Sequence, residues 1–431
     1  MAQLVFIIFL GLQFITFNLY SNEKTIDVNF INDTAFSLTE YFSILEDPSL
    51  ALTLNDVANP EIRNKFKITK TSGESLNFGV TQSAYWLRFN LKNSSNQVSE
   101  RILEIAYPRI ANIQLYQPIG SEYKTMLSGY LRAQQEKEYR NRFFVIPISM
   151  PANSKQTFYM RIETPNTMNV PVKLWEPKSY YYHERSAYMF QAMYFGFLLA
   201  MIIFNFLLFI ILRDLNYLLY CTFGLVTGLT VAADTGIGNE YLWRNSILLA
   251  KLGVNLGISF MYIVFSFFMR RILNTAIETP KSDKVIRLFL YLHLIIPFLL
   301  YFWFQQVLTF VLVSQVVSGI MILIIGFTSA LKMHRVAMFF TIAIFIFFIS
   351  GIMAILRALA ILPTNLITVA GYQLGSALEL MLFSFVLADK YNILRKEKER
   401  AEELAKENLE KSNLELEQKV QDRTKKLNQK K

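Results

Sequence analysis

The sequence holds little from which a covalent or metal-bound framework could be made. Among 431 residues there is one cysteine, Cys221, and there are three histidines, His183, His293 and His334. A lone cysteine inside an apolar run excludes a disulfide framework and a cysteine-based metal site. No cluster of His, Asp or Glu has metal-ligand spacing, and no set of His, Asp, Glu or Ser converges as a catalytic constellation. No metal, no cofactor and no catalytic residue is therefore expected. Charge is scarce as well: charged residues make up 18% of the chain against 53% hydrophobic, with 37 Phe and a mean hydropathy of +0.30. A soluble chain of this length would form two or three domains. Here the apolar excess is concentrated between residues 190 and 388 with charge on both flanks, and that marks a membrane region. The net charge of +10 would suit a nucleic-acid binder. Much of it lies in loops and a tail that would face the cytoplasm, where Lys and Arg gather on membrane proteins, so no nucleic-acid partner is expected.

At the N-terminus, residues 4–17 form an apolar run too short for a comfortable span, followed by Ser21, Asn22, Glu23 and Lys24. This predicts a secretory signal over residues 1–21; since no Lys or Arg precedes the run, an uncleaved anchor is the alternative. From residue 22 to 183 the period changes to two. Tyr85, Leu87, Phe89 and Leu91 alternate with Trp86, Arg88, Asn90 and Lys92, the pattern of a half-buried strand, and Asn93-Ser94-Ser95-Asn96 supplies a turn. Further strand-like runs cover 101–107, 112–117, 142–148, 157–163 and 169–175. Many short strands separated by turns predict an exported β-sandwich. Trp86, Tyr107, Tyr116 and Trp175 suit an aromatic platform for a small ligand, with Arg88 and Arg161 meeting its polar groups. The plainer reading makes the aromatics core and leaves both arginines solvated on the surface.

A bilayer core of about 30 Å needs roughly 20 apolar residues per helix. Seven spans are expected, over 190–212, 217–233, 247–268, 285–304, 307–330, 338–356 and 366–388, the fourth and fifth joined tightly through Gln305 and Gln306. If the β domain is outside, the inside loops carry Arg213, Arg270, Arg271, Lys281, Lys284, Arg287, Lys332 and Arg335, while the outside holds Arg244 and Arg357. That asymmetry places the N-terminus outside and the C-terminus inside, and an odd number of spans agrees. Charge within the spans is rare. Glu379 lies deep in the seventh, where a carboxylate is costly and a functional or interhelical role is the default; Arg357, near the outer face, snorkels or takes part in the same switch. Gln373 and Ser384 suit hydrogen bonds across helices, and His293 reads as a packed helix residue.

From Lys390 the chain turns to Lys, Glu, Leu and Ala without Gly or Pro, which predicts one long helix. Leu409, Leu416, Val420 and Leu427 match a heptad seam, weakened by Asn413 and Arg423 at core positions. A parallel homodimer through this helix is expected, with a solvated charged helix as the alternative.

The residues resemble a known family, bacterial seven-transmembrane receptors with diverse intracellular signalling modules. Tyr85-Trp86-Leu87-Arg88 through Asn93, Tyr107-Pro108 and Leu115-Tyr116 are similar to that family's type 2 extracellular domain. The resemblance implies a jelly-roll sandwich akin to carbohydrate-binding modules. Tyr194-Phe195-Gly196, Asn205, Tyr217, Tyr220, Gly236, Gly238 and Tyr241-Leu242-Trp243 fit the membrane part, as do Leu362-Pro363, Gln373, Gly375, Glu379, Ser384 and Leu387-Ala388-Asp389. The stretch from Leu416 to Thr424 resembles the linker that commonly precedes a histidine kinase or nucleotide cyclase in the family. No histidine follows His334 and no Gly-rich phosphate loop appears, so an output module is expected to be absent from this chain.

These readings predict a multi-domain membrane protein: signal peptide 1–21, sensor domain 22–183, seven-helix bundle 186–389 and coiled-coil helix 390–431. The function expected is a multi-pass receptor of the bacterial inner membrane, with its N-terminal domain periplasmic or extracellular. It would sense an extracytoplasmic ligand, carbohydrate-like or another small molecule, or a partner, and pass the change to the coil. The alternative is a transporter or channel, which predicts broken helices and a polar path.

Overall fold

The computed structural model describes residues 24–69, 73–132, 139–331, 335–358, 362 and 366–428. The expected signal peptide and the side chains of Arg357 and Leu427 lie outside the described residues. The chain divides into two compact units, Met1–His183 and Glu184–Lys431.

The first unit is built from β1 (Thr25–Asp27), β2 (Phe36–Ser37), β3 (Ser43–Asp47), β4 (Lys67–Ile68), β5 (Leu76–Val80), β6 (Ala84–Asn93) and β7 (Ser99–Ile105), then β8 (Asn112–Ile119), β9 (Glu122–Ser128), β10 (Phe144–Met150), β11 (Ser154–Glu163), β12 (Thr167–Val170) and β13 (Val172–Trp175). One sheet has the order β4-β3-β6-β11-β8-β9 with β1 added to β6, and a second has β10-β7-β13-β2. Pro171 divides the expected strand over 169–175, because a proline cannot donate to a ladder; β12 pairs with β5 instead. The inward residues of β6, Leu87, Phe89 and Leu91, meet Phe158, Met160 and Ile162 of β11. Opposite them lie Leu103 and Ile105 of β7 and Phe144, Ile146 and Ile148 of β10. Phe89 stacks on Phe158 at 5.1 Å. Each such side chain, fully withdrawn from water, contributes about 1.5–3 kcal/mol.

The half-buried reading of β6 needs correction: its outer face is covered too, and Trp86, Arg88 and Asn90 are all buried. The cover is a short insertion carrying α1 (Leu54–Ala58) and α2 (Pro60–Arg63). Thr53 and Asp56 start α1 with a reciprocal capping box, and Asn59 with Pro60 at the first helical position starts α2. The insertion seats Val57 and Phe66 over Trp86 and Tyr159.

The second unit is helical: α3 (Pro177–Leu212), which begins within the first unit, α4 (Leu215–Thr235), α5 (Ile247–Ile272), α6 (Thr275–Glu278), α7 (Pro280–Ala330), α8 (Arg335–Ala358) and α9 (Leu366–Asn428). Among the described residues six helices are long and apolar enough to cross a membrane. At 51 residues, α7 would reach roughly 75 Å if straight, more than twice a bilayer core. It breaks at Trp303, whose φ of −132° and ψ of 41° are non-helical, so it supplies two crossings and the count is seven. The junction expected at Gln305 and Gln306 thus falls slightly earlier. Asp214 and Ser246 cap α4 and α5. The turn from α5 to α7 is pinned by buried Asp283, which accepts from Arg270 Nε at 2.7 Å and Thr275 Oγ1 at 2.8 Å and pairs with Arg287 at 3.1 Å. Phe223, Phe265, Phe268, Phe340 and Phe383 form an aromatic centre drawn from α4, α5, α8 and α9.

Candidate functional site

On the exported domain, four of the five expected ligand residues share one surface. The register sets Arg161 of β11 opposite Trp86 of β6, and Tyr159 opposite both Arg88 and, on the other side, Tyr116 of β8. Because side chains alternate along a strand, Trp86, Arg88, Tyr159, Arg161 and Tyr116 all point to the covered face of the large sheet. Trp86 stacks on Tyr116 with centroids 5.7 Å apart; Trp86 is fully buried, while Tyr116 is half-buried.

Neither arginine is a solvated surface residue, contrary to the plainer expectation. Arg88 is 5% exposed; its guanidinium lies 4.7 Å from the Phe66 ring centroid and donates to the Arg63 carbonyl. Burial pulls Arg88 below its ordinary value, and Tyr159 acts in the opposite sense. Arg161 donates to Glu163 at 2.8 Å and to the carbonyl of Leu50 at 3.2 Å. Both arginines therefore hold the ends of the covering insertion through its carbonyls, a role that strand alternation cannot reveal. Burial raises the Tyr116 phenol, with Arg161 opposing. The indole nitrogen of Trp86 is buried without a hydrogen-bond partner.

Tyr107 lies elsewhere. It follows β7, bonds through its hydroxyl to Thr167 Oγ1 at 2.9 Å and carries the Arg109 guanidinium over its ring. Trp175 is also off the surface, on β13, where it donates to Glu104 at 2.9 Å.

In the helical unit, α3 and α9 are joined by a row of polar links. Gln191 and Gln373 exchange amide hydrogen bonds at 2.8 and 3.3 Å. Tyr194 and Ser376 meet at 2.9 Å, and Asn205 and Ser384 at 3.2 Å. The cross-helix bonding expected of Gln373 and Ser384 is present, and its partners come from α3, which no local signal in α9 identifies. Glu379, one turn beyond Ser376, is 2% exposed, and its Oε2 has no hydrogen-bond partner. Tyr194, Tyr220, Tyr262 and Tyr372 lie within its electrostatic reach. The sequence reading passed over Tyr262 and Ser376; polar groups recurring inside an apolar span were the available signal. His293 is fully buried and stacks on Tyr262 at 4.4 Å, as a packed helix residue.

At the far end of the bundle, Lys390 donates to the carbonyls of Arg271 and Ile272, closing the C-terminus of α5. Arg335 of α8 pairs with Asp389 at 3.3 Å. Beyond this point α9 is exposed and laced by the pairs Arg395–Glu399 and Lys398–Glu402. The seam residues Leu409, Leu416 and Val420 face solvent in the single chain. Among the described residues no group of three or more His, Cys, Asp or Glu could hold a metal ion.

Compared with known families, residues 187–390 match the one described as 7TM diverse intracellular signalling, and residues 39–176 match 7TMR-DISM extracellular 2. No curated protein matches the chain.

Proposed function

We infer that this chain, which belongs to the seven-transmembrane receptors of diverse intracellular signalling and carries their extracellular domain 2, is a ligand-sensing receptor of the bacterial inner membrane. Its C-terminal helix lies in the cytoplasm and pairs with a second copy. The observation that carries this reading is α9. One helix of 63 residues, without interruption, has its first part tied to α3 by three polar links and its second part exposed. At 1.5 Å per residue it reaches roughly 95 Å, about three times a bilayer core. A rigid rod of that length carries any shift or rotation of its bundle segment into the cytoplasm. The clasp formed by Lys390 and Asp389 holds it where it leaves the bundle.

The ligand is a small extracytoplasmic molecule, carbohydrate-like in the reading we favour. It meets the edge of the covered face at half-buried Tyr116, while Trp86, Arg88 and Arg161 lie beneath the insertion and support that edge, with Tyr107 outside it. Ligand shifts the balance between two packings of the bundle only by binding them with different affinity, and Glu379 and Gln373 sit where α3 and α9 would slide past each other. Arg357 is assigned to the same switch. The output is exerted through the paired helices, seamed by Leu409, Leu416, Val420 and Leu427.

Cysteine placed at Leu416 or Val420 tests this reading in native membranes. Disulfide-linked dimers are expected at both positions, with poor crosslinking at the exposed neighbour Glu417. Absence of crosslinking at both seam positions rejects the paired-helix output.

A further inference from the structure

The helical unit buries a carboxyl group that no cation pairs with among the described residues. Glu379 is 2% exposed, its Oε2 has no hydrogen-bond partner, and no ion pair involving it occurs among the described residues. The titratable groups around it can be named helix by helix. Tyr194 comes from α3, Tyr220 from α4, Tyr262 from α5 and Tyr372 from α9 itself, with Asp234 of α4 beside Tyr372. From α7, His293 stacks on Tyr262; its Nδ1 is also without a partner, while Nε2 meets Ser318 at 3.0 Å. Between Arg335 and Arg357, α8 carries no titratable residue. None of these groups is a fixed cation.

A carboxylate withdrawn from water into such surroundings must be neutralised by something. A metal cation would need several oxygen ligands at once. The Tyr220 and Tyr262 hydroxyls donate to the Leu380 and Gln315 carbonyls, and among the described residues no group of three or more His, Cys, Asp or Glu could supply such a ligand set. A proton needs only the carboxyl oxygen itself.

We propose that Glu379 is a proton-binding site, buried without a partner on its Oε2 and within reach of Tyr194, Tyr220, Tyr262 and Tyr372, which holds one proton in this packing of α9 and releases it to water when the α3–α9 contact loosens. The site deepens the receptor reading and rests on it for its role in signalling. Ser376 lies one turn before Glu379 on α9, and Tyr194 of α3, which bonds Ser376, is within electrostatic reach of Glu379, so the links that fix α9 against α3, Gln191–Gln373 among them, also bear on whether water reaches the carboxyl group. Proton release and movement of α9 are then one event, and the receptor's state depends on pH on the side to which the chamber opens.

The test uses the full chain in lipid nanodiscs, with the proton as the probe, followed by infrared difference spectra as pH is stepped. A protonated-carboxyl carbonyl band is expected that is lost in Glu379→Gln and moved in Glu379→Asp, with equal intensity in sodium and choline buffers. In Gln373→Leu the pH at which the band disappears should shift by about one unit or more, a tenfold change in proton affinity. The proposal is overturned if the wild-type and Glu379→Gln spectra coincide in the carboxyl region. It is overturned equally if the band is unmoved in Glu379→Asp, if its intensity depends on sodium, or if Gln373→Leu leaves its titration unchanged. Should Glu379→Gln fail to fold, the Glu379→Asp shift still assigns the band. The band requires neither ligand nor output, so its presence alongside failed crosslinking at Leu416 and Val420 would reject the receptor reading and leave the proton site standing.

Discussion

Trp86 has no exposed surface and rests between Val57, Phe66, Tyr159 and Tyr116, so its first contribution is to packing. Trp86→Ala is expected to cost about 3–5 kcal/mol, read as a lower first melting transition of the full chain in nanodiscs. Tyr116→Ala removes a half-buried ring and should lower that transition much less, which makes Tyr116 the residue on which a binding role can be separated from a folding role. Acid stability is also argued at this scale. Partial burial acts to raise the Asp27 carboxyl, but hydrogen bonds from Ser94 and Asn29 outweigh it and hold the group below its ordinary value. A depressed folded-state value contributes stability that is complete above the unfolded value near 3.8 and is lost as pH falls through the lower folded value. The exported domain's melting temperature is therefore expected to change little on acidification toward that value and to fall beneath it, less steeply in Asp27→Ala. Gln373, Ser384 and His293 were legible as polar residues in apolar spans because lipid makes such residues conspicuous. The buried state of Arg88 and Arg161 was not, because the insertion that buries them is distant in sequence.

Between elements, helix spacing depends on residues that leave room. A Cβ built on Gly375 would stand 2.2 Å from Ser350 Oγ and 2.4 Å from Ser350 Cβ, so α8 and α9 touch there backbone to side chain. Small residues at such crossings let membrane helices approach closely. Gly375→Ala should destabilise the bundle by about 1–3 kcal/mol, the usual effect of overpacking. Ser350→Gly in the same chain should restore the detergent melting temperature, whereas a melting temperature unchanged by Gly375→Ala alone would contradict the close contact. The same scale explains the break in α7. Its apolar run is continuous through Trp303, so the sequence placed the turn only at the next polar pair, Gln305 and Gln306, just after the break. β6 makes the complementary point: strict alternation announced a strand but was silent on what would lie against its second face.

For the whole molecule, orientation is argued from charge. Eight of the ten basic loop residues named above fall on one side of the bundle if the seven crossings are counted from an exported N-terminal domain, and only Arg244 and Arg357 on the other. A reporter enzyme fused after Lys431 should be active only in a cytoplasm-dependent form; periplasmic activity would invert the arrangement and remove the output helix from its expected compartment. The membrane location itself rests on the length and apolar composition of six helices and on the match of residues 187–390 to a seven-transmembrane family.

The sequence by itself determined that the chain has apolar runs long enough to cross a membrane several times, that a strand-rich domain precedes the crossings, and that a long polar helix follows them. Each of these is a local matter: lipid thickness demands apolar length, sheets demand a period of two, and a run free of Gly and Pro stays helical. Tertiary structure alone decided that Arg88 and Arg161 hold the insertion over the large sheet, that α3 supplies the partners of Gln373, Ser376 and Ser384, and that Glu379 lies buried within electrostatic reach of tyrosines from four helices. Those outcomes depend on contacts between residues up to 182 positions apart, and pairing over such distances is settled by which surfaces bury together, which periodicity along one segment does not encode.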